Sequence, residues 1–293
     1  MHSGGGRMAP DSSPPVARRA LVFGLSGQLG AALHAPMRAA GWTLDAVSRA
    51  ERPALDGVRW HRGGLPDAPL VAGPFDAIVS LGPLDVFAEA VARHGIAAPR
   101  VVAIGSTGVH SKAASPDPAE RALAARLAAA ERELAAAVSG RATLALLRPT
   151  LVYGHGLDRS LTPLVAFARR HGWLVLPRAA RGLRQPVHVD DVAAAVLACL
   201  QAPAAVAASV DVPGGETLPF DAMLARTLAR HVPGARLWRV PTWLFRLGLR
   251  FAGARVPPAV SAAGFVGRLN RDQVFDPGPA ERLLGRAPRG FEP

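Results

Sequence analysis

The sequence predicts an α/β fold, a doubly wound parallel sheet with a smaller C-terminal α+β unit, and three observations predict it. Short apolar runs alternate with helical segments through the first two thirds of the chain; three glycines, Gly24, Gly27 and Gly30, stand where the first run gives way to the first helix; and the pattern changes after Pro149. At 293 residues and 49% hydrophobic, the chain can bury one large core or a large and a small one. The expected division is a loose, disordered leader over 1–18, a sheet domain over 19–155 joined by part of 174–200, and a smaller domain from 156–173 and 201–293.

Six runs have the length and composition of buried strands: Ala20–Phe23, Thr43–Val47, Gly57–Trp60, Ala77–Leu81, Arg100–Ile104 and Thr143–Leu147. The clearest helix spans Pro118–Ser139. Asp117 can cap it, Pro118 suits its first turn, Glu120 completes a capping-box-like start, and Gly140 ends it. Leu123, Leu127, Leu134 and Val138 form the stripe expected to face the sheet. Beyond Pro149 come a short run at Leu174–Leu176, a helix from Asp191 to about Leu200 and another near Phe220–His231.

Composition excludes several classes. No apolar stretch reaches the roughly 20 residues of a bilayer span, and Trp243–Ala254 is broken by Arg246 and Arg250. The leader lacks the apolar core of a secretory signal, so the expected compartment is the cytoplasm. A lone cysteine, Cys199, precludes an internal disulfide and reads as a buried helix residue. The net charge of +12 comes from arginines scattered through every segment, which argues against a nucleic-acid partner. The nine histidines show no metal-ligand spacing, so no metal is expected.

The glycines carry the first functional signal. Between a strand and a helix they permit a tight turn and close backbone approach, and the helix start offers free N–H groups and partial positive charge to a pyrophosphate. This is a Rossmann-type arrangement. Gly24, Ser26, Gly27, Gln28, Leu29 and Gly30 are therefore the candidate dinucleotide-binding residues, with Leu81 and Gly82 at the end of the fourth strand. At the end of the second strand an acid would hold the ribose of NAD, and a base would favour the 2′-phosphate of NADP. Val47, Ser48 and Arg49 stand there, so Arg49 points to NADP rather than NAD, against which Asp45, inside the strand, is the one competing feature.

The spacing Gly24, Gly27, Gly30 resembles that of the short-chain dehydrogenase/reductase superfamily. Three further landmarks follow in order, Val102–Val109, Leu147–Gly154 and Gln185–Val192, and a fourth runs from Ala280 to Pro288. Together they resemble the extended branch, the NAD-dependent epimerase/dehydratase family acting on nucleotide sugars. The resemblance spans about Arg19 to Phe291. It implies a site between a nucleotide-binding and a smaller substrate domain, a nucleotide-sugar or similar small-molecule substrate, and a possible homodimer.

Such enzymes use a Ser or Thr after the fifth strand and a Tyr-x-x-x-Lys pair on the next helix. The tyrosine moves a proton as hydride passes, and the lysine lowers its pKa and binds ribose. Ser106 fills the first role by position. Tyr153 and Lys112 are the chain's single tyrosine and single lysine, and they stand in the wrong order for the pair. An adenine-binding Asp after the third strand is also missing, with Gly63-Gly64-Leu65 in its place.

Candidates for the missing chemistry are His110 and Lys112, after the Ser106 loop, and Arg148, Tyr153 and His155, in the loop that in relatives closes on nicotinamide or substrate. The structural alternatives are solvent-facing loop residues for the first two and a brace of the domain junction for the others. Glu131 and Glu133 read as an exposed charged helix face. Asp190 and Asp191 read as helix caps with His188 packed beside them. Trp238, Trp243, Leu244, Leu247 and Phe251 read as small-domain packing, the alternative being a membrane-surface or partner contact. The function expected is thus an atypical NAD(P)-binding enzyme on a nucleotide-linked sugar or similar carbonyl or alcohol; the alternative is a non-catalytic dinucleotide-binding sensor.

Overall fold

The computed structural model describes residues 18–67, 71, 73–95, 98–202, 209–252 and 267–293. The expected leader lies outside the described residues apart from Arg18, which begins a strand. The first part of the chain runs β1 (Arg18–Phe23), α1 (Gln28–Ala39), β2 (Trp42–Ser48), β3 (Val58–Arg62), β4 (Ala77–Ser80), α2 (Leu84–His94), β5 (Arg100–Ile104), a single turn α3 (Gly108–Ser111), α4 (Pro118–Val138) and β6 (Thr143–Pro149).

The sheet order is β11-β6-β5-β4-β1-β2-β3, with β11 at Ser209–Val212, and every pairing is parallel. The central strands β1, β2, β4, β5 and β6 bury both faces, while the edge strands β3 and β11 are only partly covered. In β1, Ala20 and Val22 join the cluster that holds Leu33 and Met37 of α1, while Leu21 and Phe23 join the opposite cluster with Phe87 of α2 and Leu134 of α4. That is why the strand reads as an unbroken apolar run rather than an alternating one. Helices α1 and α6 (Val189–Gln201) cover one face, and α2 and α4 the other. The order reverses between β1 and β4, and ligands of open α/β sheets bind in the crevice beyond such a point.

Beyond β6 the chain forms β7 (Val152–Tyr153), α5 (Thr162–His171), β8 (Trp173–Pro177), β9 (Leu183–Arg184) and β10 (Val187–His188) before α6. After β11 it adds β12 (Leu218–Pro219), α7 (Phe220–His231), β13 (Arg236–Val240), α8 (Thr242–Ala252) and α9 (Gly278–Leu284). These elements make three two-stranded ribbons, β10 with β7, β12 with β9 and β13 with β8. A further apolar cluster gathers Leu161, Leu176, Phe220, Met223 and Phe291.

Several local expectations are corrected. Asp117 does cap α4, accepting from the Ala119 N–H at 2.9 Å, but Glu120 makes no capping box. Its carboxylate turns inward, accepts the Ser115 hydroxyl at 2.6 Å and pairs with Arg268 at 2.8 Å. Glu131 is buried rather than on a charged face, whereas Glu133 is exposed. Leu134 and Val138 are buried as expected, while Leu123 and Leu127 are only half-buried. The α6 cap is His188, whose Nδ1 accepts from the Asp190 N–H at 3.2 Å; Asp190 and Asp191 lie in the first turn. Asp191 is fully buried and meets Arg286 at 2.5 Å and the Arg289 N–H at 2.8 Å, so it ties the C-terminal segment to the helix. Trp238, Trp243, Leu244, Leu247 and Phe251 are all exposed, which overturns their reading as packing.

Candidate active site

The carboxyl edge of the sheet gathers the loops that follow β1, β2, β4 and β5. The turn after β1 is closed by the Gly27 N–H donating to the Gly24 carbonyl at 3.0 Å. Gly24 has φ +86°, and a Cβ there would sit 3.2 Å from the Leu81 carbonyl carbon and the Gly82 nitrogen. The turn is thus pressed against the end of β4, which is where Leu81 and Gly82 enter. A Cβ on Gly30 would fall 2.0 Å from the Leu25 carbonyl oxygen, so α1 approaches the turn as closely as backbone allows. Gly27 differs. Its φ of −91° and ψ of −178° suit any residue, and a Cβ would meet only the Gly24 oxygen, at 3.3 Å.

The start of α1 is electrostatically open. No side chain caps it, and its first turn holds no acid. Ser26 and Gly27 are exposed, Gln28 and Leu29 half-buried. These residues fit a diphosphate, because the helix start presents amides and partial positive charge that no described side chain caps. Gln28 reaches across to the Gly154 carbonyl at 2.9 Å, linking the turn to the loop after β7.

At the end of β2, Asp45 is not available to a ribose. It is buried in mid-strand, where it accepts from Arg19 Nε at 2.6 Å and pairs with His61 Nε2 at 2.6 Å. Burial pushes its carboxyl up, but the bonds from Arg19 and His61 outweigh that and hold it below the ordinary carboxylate value. Arg49 is exposed, and its stem covers Gly64, where a Cβ would lie 2.7 Å from Arg49 Cγ. Arg52, which donates to the Ser48 hydroxyl at 3.1 Å, and Arg62, paired in register with Ser48, stand at the same edge. Sequence reasoning missed both, because Arg62 is brought beside β2 only by strand pairing and Arg52 only by its bond back to Ser48.

The loop after β5 is stitched to the end of β6 by the Gly105 N–H on the Leu147 carbonyl at 2.7 Å and the Thr107 N–H on the Pro149 carbonyl at 3.3 Å. Ser106 Oγ accepts from the Gly108 N–H at 3.1 Å. A Cβ on Gly108 would touch both Ser106 Oγ, at 3.1 Å, and the Lys112 stem, at 3.6 Å, so the hydroxyl and the lysine chain flank one glycine. Burial, and then the charge of Arg268, push the Lys112 amine down from its usual value, with Glu120 opposing.

His110, on the same turn, is exposed and has a partner invisible in the sequence. Its Nε2 lies 3.5 Å from Asp211 Oδ1 and 3.4 Å from Arg148 Nη1. Asp211 comes from β11, the strand not anticipated, which pairs with β6 so that Asp211 lies opposite Arg148. Arg148 was expected at the cofactor, but two of its nitrogens are held by Glu131, Nε at 2.7 Å and Nη2 at 2.5 Å. That bidentate bond, opposed by burial and helped by both carboxylate charges, raises the Arg148 pKa. Arg148 thus fixes the loop from beneath.

Tyr153 is not brought to this group. It is buried, donates to the Gly290 carbonyl and accepts from the Glu292 N–H, both at 3.1 Å, and packs edge-on against Phe291. Its phenol is pushed up by burial. This is the bracing role, because both hydrogen-bonding capacities of the hydroxyl are used by backbone. His155 pairs with Asp190 at 3.0 Å and, with Tyr153, lines a separate cavity of about 270 Å³ beside α5 and α7. Among the described residues no His/Cys/Asp/Glu cluster could hold a metal, and no helix is long and apolar enough to cross a membrane.

Comparison with known proteins agrees with this geometry. Residues 80–212 match the model of the NAD dependent epimerase/dehydratase family. No curated protein matches the sequence. Among solved structures, MoeE5 in complex with UDP-glucuronic acid and NAD superposes with a TM-score of 0.70 at 20% identity, covering 93% of this chain and 94% of that one. The Bordetella bronchiseptica enzyme WbmG in complex with NAD gives 0.63 at 14% identity, covering 97% and 92%. TunA, an NAD dependent NDP-hexosamine 5,6-dehydratase involved in tunicamycin biosynthesis, gives 0.62 at 16% identity, covering 76% and 84%. At these identities the likeness is one of fold.

Proposed function

We propose that this chain, whose residues 80–212 match the model of the NAD dependent epimerase/dehydratase family, is an atypical enzyme of that family that binds NADP and acts on a nucleotide-linked sugar or a similar carbonyl or alcohol. The observation that carries the reading is the open helix start behind the Gly24–Gly30 turn, with Ser106 and Lys112 on a loop at the same sheet edge. A bound nicotinamide would supply hydride transfer. Gly24, Ser26, Gly27, Gln28, Leu29 and Gly30 hold the diphosphate, with Leu81 and Gly82 as the floor. Arg49, joined by Arg52 and Arg62, meets the 2′-phosphate, for which three guanidinium groups and no available Asp45 carboxylate are the suitable chemistry.

Ser106 orients the substrate oxygen by hydrogen bonding. The proton at that oxygen passes to or from Lys112, whose depressed pKa brings it nearer the range where an amine exchanges protons readily, or His110, which stands 3.5 Å from the Asp211 carboxylate. These loop groups take over the work of the Tyr-x-x-x-Lys pair, which the positions of Lys112 and Tyr153 preclude. The neighbouring fold of MoeE5, solved with UDP-glucuronic acid and NAD, supports the substrate class.

The test is thermal stability with NADPH, NADH or neither, followed by a screen of nucleotide sugars read at the nicotinamide absorbance band. Stabilisation by NADPH above NADH, with turnover that Ser106→Ala and Lys112→Met each reduce, is the expected result. Cofactor binding without turnover on any nucleotide sugar would replace this reading with that of a non-catalytic dinucleotide sensor. Absence of binding to either dinucleotide would overturn both.

A further inference from the structure

The C-terminal part exposes aromatic and aliphatic groups that the proposed chemistry does not use. Along α8, Trp243, Leu247 and Phe251 recur at four-residue spacing with Leu244 beside them, and all four are exposed, Trp243 to 68% and Phe251 to 80%. Phe245, on the other side of the helix, is buried, so α8 is anchored by one face and presents the other. The helix packs against β8. In the β8–β13 ribbon, Trp173 pairs in register with Arg236, and Trp238 follows two residues after Arg236, which puts both tryptophans on one face. Both are exposed, at 41% and 51%. Three of the chain's five tryptophans are therefore spent on exposed positions around one helix and ribbon.

The charge of this segment has one sign along the sequence, although Arg226, Arg239 and Arg268 are paired with Glu216, Asp221 and Glu120 at or beyond its ends. Between Asp221 and Asp272 the sequence holds nine arginines and no aspartate or glutamate. Arg246 is exposed at the edge of the α8 stripe, and Arg236 is exposed on the ribbon. A protein partner or second copy with this composition would bring arginine against arginine unless its own surface were acidic. An anionic bilayer answers both features, because its headgroups attract the arginines while its interface takes indole rings and aliphatic chains to a depth of about 5–10 Å. The helix is too short and too interrupted to span, so it lies in the plane of the interface.

We infer that the exposed face of α8, with Trp243, Leu247 and Phe251 as its apolar contacts and Arg246 as its charge, and with Arg236 on the adjoining ribbon, docks this protein reversibly on an anionic lipid surface. The inference is independent of the reaction proposed above. Its test is co-sedimentation of the full chain with phosphatidylcholine vesicles, and with vesicles that also contain phosphatidylglycerol, at low and high salt. Tryptophan quenching by brominated lipid gives a second readout. Binding should require the anionic lipid and weaken with salt. Trp243→Ser combined with Phe251→Ser should lower the partition coefficient by about tenfold or more, since two large apolar groups no longer leave water, and Arg246→Glu should lower it without altering thermal stability. Both substitutions alter exposed positions, so the fold provides its own control. Failure to bind either vesicle, equal binding to both, or unchanged binding by the variants would overturn the inference. So would a solution dimer that the aromatic substitutions convert to monomer with no effect on vesicles, which would assign the face to a second copy.

Discussion

Gly27 and Gly30 lie three residues apart in the same turn, yet the structure predicts opposite consequences for replacing them with alanine. A methyl on Gly30 would lie 2.0 Å from the Leu25 carbonyl oxygen and 2.4 Å from Leu25 Cα, inside any permissible contact and against backbone that cannot swing aside. The turn must shift, at a cost of about 3 kcal/mol, which for a chain of this size lowers the melting temperature by roughly 5–10 °C. A methyl on Gly27 meets one oxygen at 3.3 Å with unstrained backbone, so its cost to the free protein is that of a poorer helix cap, about 1 kcal/mol. The same methyl, however, projects from an exposed position where a diphosphate would approach the amides. Loss of one or more charge-assisted hydrogen bonds, about 1.5–3 kcal/mol, weakens dinucleotide binding roughly 10- to 100-fold. Calorimetric titration with NADPH and a melting scan of each variant separate the effects. Wild-type affinity in Gly27→Ala, or equal destabilisation by the two substitutions, would refute the argument that Gly27 is small for a ligand's sake.

Three other outcomes follow from the buried charges and the thiol. Glu131→Gln should destabilise the protein by about 3–5 kcal/mol in chemical denaturation, because the bidentate bond to Arg148 is lost where both side chains are mostly buried. Asp45, held below its ordinary value by Arg19 and His61 in spite of burial, contributes stability above the unfolded carboxylate value of about 4, and that contribution is lost as the pH falls through its lower folded pKa. Asp45→Asn should therefore flatten the acid limb of a plot of stability against pH, and an unchanged limb would count against it. Cys199, whose thiol burial pushes up to about 12, should resist an aromatic disulfide reagent at mildly alkaline pH in the native state and react once guanidinium unfolds the chain.

The parts of the fold that were legible in the sequence are those specified locally. Five sheet strands announced themselves as runs buried on both faces and β3 as a run that lies half-exposed at the edge, and the Gly24–Gly30 turn was readable because a strand and a helix flank it within a few residues. Strand β11 was not. Its four residues, Ser-Val-Asp-Val, alternate in burial and carry no stronger β signal than many loops; only pairing with β6 makes them a strand. With β11 went Asp211, and so the partner of His110. Glu120 and Glu131 were misread for a related reason: a carboxylate on a helix is solvated in most settings, and the arginines that compensate these two lie 148 and 17 residues away along the chain. Tyr153 was a fair candidate from its motif, but the backbone that uses up its hydroxyl belongs to a segment more than a hundred residues later.

Those buried pairs bear on how a chain without the Tyr-x-x-x-Lys pair could keep a defined site. Helix α4, which in the resembled family carries that pair, here turns two carboxylates toward the sheet edge. Glu120 takes the Ser115 hydroxyl and Arg268, just beyond Lys112, and Glu131 takes Arg148 beneath Gly105 and His110. Each is a fixed acceptor that orients a group on or beside the loop between β5 and α4. In the proposed mechanism the helix has therefore changed from supplying the reacting groups to anchoring the loop that does. The ammonium of Lys112 gains from this directly, since burial and Arg268 lower its pKa while Glu120 limits the fall. Taking away Glu120 would leave Lys112 facing Arg268 alone, so a Glu120→Gln enzyme should run with its proton-transfer limb displaced to lower pH. A limb that stayed in place would assign the proton to His110 instead.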